Sequence, residues 1–253
     1  MMNLTPELSH KNSLEFLQVL ESHDDFMDSI TNVVDMGAGV GFDSLWWATR
    51  TAADEDGNSS DRNIKVTAID LDIEQCLVKN KQINWLQKDF SNSGLPLDSV
   101  DILWAHNSFQ YSKDPLGTLS HWYDLMKLDS MLCLSIPFNF DIWYMRDQPR
   151  INSVWQSGCY FNYTPVNLIL LLASSGFDCR GGHFKYLPYE PWFHAAVYKT
   201  ENKPQRMMSW YELLDKKILP ISIEKAILSK GHVSDRDLIV EWIDHSTYNF
   251  SLL

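Results

Sequence analysis

Cysteine is scarce in this sequence. Four cysteines in 253 residues, at positions 76, 133, 159 and 179, form no C-x-x-C pair and no metal-ligand spacing. That excludes a disulfide framework and a zinc cluster. Cys133 and Cys179 fall in apolar, strand-like runs and are expected as buried free thiols. Long hydrophobic runs are missing too. The longest, Leu168 to Ala173, is too short to cross a bilayer. The opening MMNLTPELSHKN lacks the basic-then-apolar build of a secretory signal. The expectation is a soluble protein of a reducing, cytoplasmic compartment, with no membrane partner. Positive charge is thin: 21 Lys and Arg stand against 33 Asp and Glu, for a net charge of −12, and the cations are scattered. Tight binding to a phosphate backbone needs clustered cations, so nucleic acid is not an expected partner. Repeats and low-complexity tracts are absent as well. Apolar mass is not lacking: 45% of the residues are hydrophobic, ample for one α/β domain with an appendage.

The segment VVDMGAGVGFDSLWWA, residues 33–48, is the most informative stretch. Val33 and Val34 read as a short buried strand, Gly37, Gly39 and Gly41 punctuate it, and Leu45, Trp46 and Ala48 follow with helical spacing. A strand that hands over to a helix through glycines lets the backbone approach a ligand closely, with helix N-terminal N–H groups pointing at it. A dinucleotide fingerprint needs a small residue three positions after its second glycine. From Gly37 and Gly39 that position holds Phe42, which fails, while Gly39 and Gly41 lead to Ser44, a weak match. Asp35 decides between ligands. A carboxylate two residues before the first glycine would repel a pyrophosphate and attract a positively charged ligand.

Asp-x-Gly-x-Gly-x-Gly in this context resembles the first motif of class I S-adenosylmethionine-dependent methyltransferases, whose cofactor carries an ammonium and a sulfonium. The resemblance runs from about residue 30 to 200. KVTAID, residues 65–70, reads as a second strand ending in Asp70, and the family's pattern implies that this acid takes the ribose hydroxyls, with Leu71 beside it. The polar stretch 53–63 has loop composition and accounts for a longer gap than the usual ~20 residues. Asp72 is the nearby decoy, expected to cap a helix over IEQCLVKNKQ. INWLQKDF supplies Asp89 and Phe90, matching the third motif, where the acid takes the adenine amino group and the next residue adds backbone contact and packing. Gly37, Ala38, Gly39 and Gly41 complete the implied cofactor set.

DILWAHNSFQYSKDP, residues 101–115, resembles the fourth motif, with His106 and Asn107 at a strand's mouth. Gln110 and Tyr111 stand where the family often has Glu-His, so no histidine chemistry is available at position 111. The expected fold is α/β, an open seven-stranded, mostly parallel Rossmann-like sheet flanked by helices, with a helical C-terminal extension. Residues 1–31 are expected as a helical cover, 32–201 as the methyltransferase-like domain and 202–253 as the extension. In the extension, 207–219 is amphipathic, Ser234 and Asp237 form a plausible capping box, and Trp210, Tyr211, Trp242 and Tyr248 could dock the tail on the sheet or line a partner surface.

Methyl transfer is an in-line displacement on an already activated carbon, so alignment and a dry pocket suffice unless the acceptor must lose a proton. His106 is the one catalytic candidate and also part of the cofactor wall; a histidine merely bonded to a backbone carbonyl is the plain alternative. Tyr111, Tyr144, Arg146 and Tyr163 are the substrate-side candidates. Three of them lie in or beside the aromatic-rich run 138–164, whose length in a compact domain marks a binding loop. His183 and His194 are expected to be structural, and His121 to lie on the surface. Base methylation is disfavoured because the place of an Asn/Asp-Pro-Pro-Tyr/Phe run reads Ala105 to Phe109, and no Pro-Cys nucleophile is present. The sequence therefore points to S-adenosylmethionine-dependent methyl transfer to a small molecule. A non-catalytic module of the same fold, acting as scaffold or regulatory subunit, is the rival, and an NAD-dependent oxidoreductase a weaker third.

Overall fold

The computed structural model describes residues 6–21, 30–49, 52–53, 59–60, 64–137, 160–161, 163–187, 192–201, 203–204 and 206–234. Seven strands form one sheet: β1 (Asn32–Met36), β2 (Lys65–Asp70), β3 (Ile83–Gln87), β4 (Val100–His106), β5 (Met126–Pro137), β6 (Phe177–Leu187) and β7 (Trp192–Lys199). Their order across the sheet is β3-β2-β1-β4-β5-β7-β6. The first five pair in parallel, and β7 runs antiparallel to both β5 and β6. The strand order reverses between β1 and β4, which is where open α/β sheets hold ligands, at the carboxyl ends of the strands.

Strand periodicity sorts the core into two layers. Val33, Val66, Ile102, Trp104 and Cys133 face one side, where they meet Phe16 and Leu17 of α1 (Pro6–Glu21) and Trp47 of α2 (Phe42–Ala48). Val34, Met36, Leu103, Leu132 and Leu134 face the other. They meet Trp122 of α3 (Pro115–Leu125), Leu168 and Leu172 of α4 (Pro165–Ser174), Leu213 of α5 (Trp210–Lys216) and Ile223 of α6 (Ile221–Lys230). Asp35 and His106 fall in the alternation on the α1–α2 side, and Ser44 of α2 bonds Asp35.

Helix starts follow local chemistry. Asp114 accepts from Gly117 N and Thr164 from Asn167 N, each just ahead of a proline that opens its helix. Ser209 and Glu212 form a capping box on α5.

Several expectations change. The helix expected over 73–82 is a single 3-10 turn, Ile73–Gln75, capped by Asp72. The backbone then leaves it extended at Cys76, and Leu77 N and Val78 N donate to Val40 O, tying the segment to the glycine loop instead of to a further helical turn. The stretch expected as loop carries two-residue strands, Ala52–Ala53 and Ser59–Ser60, paired antiparallel. Helix α3 ends at Leu125, because Met126 already pairs with Val100 in the sheet. His121 is not on the surface: it is half-buried, and its Nε2 accepts from Ser93 N at 3.1 Å. His194 is fully buried, as a structural histidine would be. Cys133 and Cys179 are buried free thiols, and burial pushes both thiols up. The tail docks through Leu213, Leu219 and Ile223 and through Arg180 to Glu224 at 2.9 Å. Trp210 and Tyr211 are exposed. Trp242, Tyr248 and Asp237 lie outside the described residues.

Candidate cofactor site

A cavity of about 930 Å³ opens over the carboxyl ends of β1, β2 and β4. Asp35, Gly37, Ala38, Gly39, Asp70, Leu71, Asp89, Phe90, His106 and Tyr111 line it, joined by His10, Asp43, Asn107, Ser108, Lys113 and Tyr160 among others. Two expected members are elsewhere. Gly41 starts α2 with φ +91°, and a Cβ there would meet the Trp85 ring at 2.6 Å, so this glycine serves helix–strand packing. Tyr163 is 8% exposed and stacks on Phe109 at 5.3 Å inside the α3–α4 core. Tyr144 and Arg146 lie outside the described residues.

The turn itself is built by hydrogen bonds back to β2. Gly37 N and Ala38 N both donate to Ile69 O, and Gly39 N donates to Asp70 Oδ2 at 2.8 Å. Gly37 has φ +80°, and a Cβ would stand 2.4 Å from Ser108 Cβ, whose hydroxyl donates to Met36 O. Only glycine fits there. Space is open around Gly39. The first turn of α2 adds a side-chain carboxylate, Asp43, to this end of the cavity, and no side chain caps the helix.

Acidic side chains dominate the cavity. Asp35 is 2% exposed, accepts from Ser44 Oγ at 2.6 Å, and is pushed up to about 8 by burial, by the Asp43 charge and by the Asp70 charge. Burial also works against ionisation of Asp43, but hydrogen bonds from His10 and Ser13 and the charge of His106 outweigh it, holding this carboxyl below the usual range. Asp70 spends one lone pair on Gly39 N and another, through Oδ1, on Asp72 N at 3.0 Å, and each oxygen keeps a further site. Asp89 Oδ1 takes Ser91 N at 2.8 Å. A crowd of carboxylates around a closely approached backbone favours a cation and disfavours a pyrophosphate.

His106 stands at the end of β4 in a stack of rings: Trp192 at 4.7 Å, with Trp104 and His194 each at 6.4 Å. His194 is bonded to Ser135 Oγ through Nδ1 at 2.6 Å, and burial drives it well below the usual histidine range, so it is neutral. Asn107, next along, takes a left-handed φ of +54°, which asparagine tolerates, and its Oδ1 accepts from Gln110 Nε2. Gln110 O in turn receives Tyr160 N and Phe161 N, and Lys113 Nζ lies 5.7 Å from the Tyr160 ring centre.

Sequence reasoning missed His10, Asp43, Lys113 and Tyr160. The first-turn acid of α2 and Lys113, in a loop beside a strand mouth, were readable signals. His10 left none, since its partner is 33 residues away.

Residues 34–134 match a family model described as a methyltransferase domain. No curated protein matches the sequence. Among solved structures, Haemonchus contortus phosphoethanolamine N-methyltransferase 2, with phosphomonomethylethanolamine and S-adenosylhomocysteine, superposes with a TM-score of 0.55 at 12% identity. That match covers 68% of this chain and 49% of that one, so the chain spans about half of that enzyme's length. Burkholderia thailandensis 1,6-didemethyltoxoflavin-N1-methyltransferase, also with S-adenosylhomocysteine, gives 0.51 at 15% identity over 73% and 76% of the two chains. The YcgJ protein of Bacillus subtilis gives 0.52 at 10% over 69% and 94%. At these identities the likeness establishes the fold.

Proposed function

We propose that this chain is a class I S-adenosylmethionine-dependent methyltransferase that methylates a small molecule inside the described cavity, a reading supported by the match of residues 34–134 to a methyltransferase domain. The observation that carries this reading is the 930 Å³ cavity, which combines a side-chain-free backbone turn with ionisable carboxylates. Its volume is at the upper end for a single small ligand, leaving room for an acceptor beside the cofactor. The two ligand-bearing neighbours also act on or hold small molecules by their descriptions. In this reading Asp35 and the backbone of Gly37 to Gly39 receive the charged amino-acid end, Asp70 the ribose, and Leu71, Asp89 and Phe90 the adenine. The bound donor supplies a methyl group already activated by its sulfonium. What the chain adds is alignment, exclusion of water and charge. His106 offers a flat stacked wall, and Tyr111 lies toward the acceptor with Tyr160. Tyr144 and Arg146 belong to the same side in the proposal. The α1 helix acts as the cover of this domain, and the compartment is the cytoplasm.

Calorimetry with S-adenosylmethionine, S-adenosylhomocysteine and NAD tests the donor. The first two should bind and NAD should not. Methyl-labelled S-adenosylmethionine and a fractionated small-molecule extract then test turnover. Label passing into a small product supports the reading. Tight binding with no transfer to any fraction favours the non-catalytic module, and label in nucleic acid or protein overturns the acceptor class.

A further inference from the structure

Asp43 sits in the first turn of α2 with three donors on its carboxylate. His10 Nδ1 is 2.6 Å from Oδ1, Ser13 Oγ is 2.5 Å from the same oxygen, and Trp104 Nε1 is 3.0 Å from Oδ2. Such a web holds the carboxylate in one orientation and keeps it ionised. Facing it, Nδ1 of His10 carries the proton, which leaves the lone pair of a neutral ring on Nε2. The ring leans on Phe42, 5.5 Å away at 50°, and His10 and Asp43 both line the cavity of the glycine turn. A carboxylate fixing the tautomer of a histidine that borders a reaction cavity is how general bases are oriented. The surroundings of His106 differ: its ring is one layer of an aromatic stack.

We infer that His10, aimed by Asp43, is the base that takes the acceptor's proton, so that the N-terminal helix brings a catalytic residue to the sheet. The inference rests on the methyl-transfer reading above. The acceptor's O–H or N–H proton passes to His10 Nε2, and the electron pair so released bonds to the methyl carbon. The pair of the breaking carbon–sulfur bond stays on sulfur, and S-adenosylhomocysteine leaves. The imidazolium returns its proton to water. Around the ring stand Ser13 from its own helix, Asp43 from α2, and, across the cavity, Asp35 from β1 and His106 from β4.

Two ligands that differ by a single charge provide the test. The chain with ¹⁵N-labelled histidine is loaded with S-adenosylmethionine in one sample and S-adenosylhomocysteine in another, and His10 is followed by NMR across pH. At the reacting centre, the sulfonium charge lowers the pH at which the ring loses its proton by about half a pH unit or more relative to the thioether sample. Above that pH, Nδ1 keeps its proton in both samples. Equal midpoints, or a proton resting on Nε2, overturn the assignment. A histidine that only tied α1 to α2 would not sense the sulfonium. His10→Gln should lower turnover on the labelled extract by about 10²–10⁴ with S-adenosylhomocysteine affinity unchanged. Losses of affinity and turnover in proportion would make His10 a cofactor contact and overturn the proposal. Failure of both ligands to bind, seen by calorimetry on the same samples, overturns the methyl-transfer reading and the base with it.

Discussion

The two faces of the sheet are built from the same strands and do opposite things. On the α3–α6 side the inward strand positions are mostly apolar, Thr67 beside Val34 being an exception, and Trp122, Phe177 and Leu168 are fully buried among them. On the α1–α2 side, the alternation places Asp35, His106, Ser135 and His194 among Val33, Ile102 and Trp104, and Asp43 and Ser13 come down from the helices to meet them. One residue of strand register separates the two sets. One face therefore stores stability and the other tolerates buried polar groups in exchange for chemistry. Each buried polar group there has a cost that its hydrogen bonds only partly offset.

The sharpest way to break this contrast is to damage each face in turn. Trp122→Ala should cost about 3–5 kcal/mol of stability, since it empties the middle of the apolar layer and removes the donor to Phe90 O at 2.9 Å. Denaturant unfolding of apo protein reads it, and a loss below about 1 kcal/mol would mean this layer is not the main store. Gly39→Arg, on the other side, should leave a folded protein with no measurable binding of S-adenosylmethionine, since open space surrounds that backbone. The side chain also meets a left-handed φ of +52°, which adds only a modest strain. Wild-type affinity in the folded variant would remove the glycine turn from the site.

Asp70→Ala should weaken cofactor binding roughly ten- to hundredfold, combining a lost charged acceptor with a loosened Gly39 N–H. Asp72→Ala should leave affinity nearly unchanged, because Asp72 only caps a 3-10 turn. The reverse ranking by calorimetry would move the ribose contact along the strand.

The last expected effect is a slope. Asp35 is held protonated up to about 8 in the folded apo protein, whereas the unfolded chain ionises it near its ordinary value of 3.8. Between those two values the folded state binds the extra proton, so the Asp35 contribution to stability falls as pH rises through that window and is flat above it. Asp35→Asn mimics the protonated form. Its Tm advantage over wild type should be small near pH 5 and grow toward pH 8, while its affinity for S-adenosylmethionine drops. Parallel Tm curves across that range would mean that Asp35 is already ionised without a ligand.

Much of this was legible in the residues, for local reasons. Val33-Val34, Lys65 to Asp70 and Ile102 to Ala105 carry β-branched or apolar runs that end in a polar residue, and such runs are self-announcing. Gly37 and Asp70 come from the same short-range signals. What escaped reading was non-local. His10 and Asp43 meet only because α1 crosses α2, and no periodicity encodes a partner in another element. Gly41 was read for the cofactor because glycine spacing does not reveal that the Trp85 ring occupies its flank. The helix expected after Asp72 failed for a related reason, since its donors found Val40 O before each other.

One tether carries a consequence for how this molecule can change over generations. The chain leaves the sheet at Pro137, paired with Trp192, and re-enters the described structure at Tyr160, whose N–H is fixed to Gln110 O at 3.0 Å on the cavity rim. Both flanks of residues 138–159 are thus tied to the framework, and the entropic cost of closing a flexible connection between fixed ends grows only slowly with its length. Each doubling of length costs about 0.6 kcal/mol. Under the proposed function, exchanging the stretch between Pro137 and Tyr160 is the change expected to shift acceptor preference while the proposed donor-side residues keep their framework.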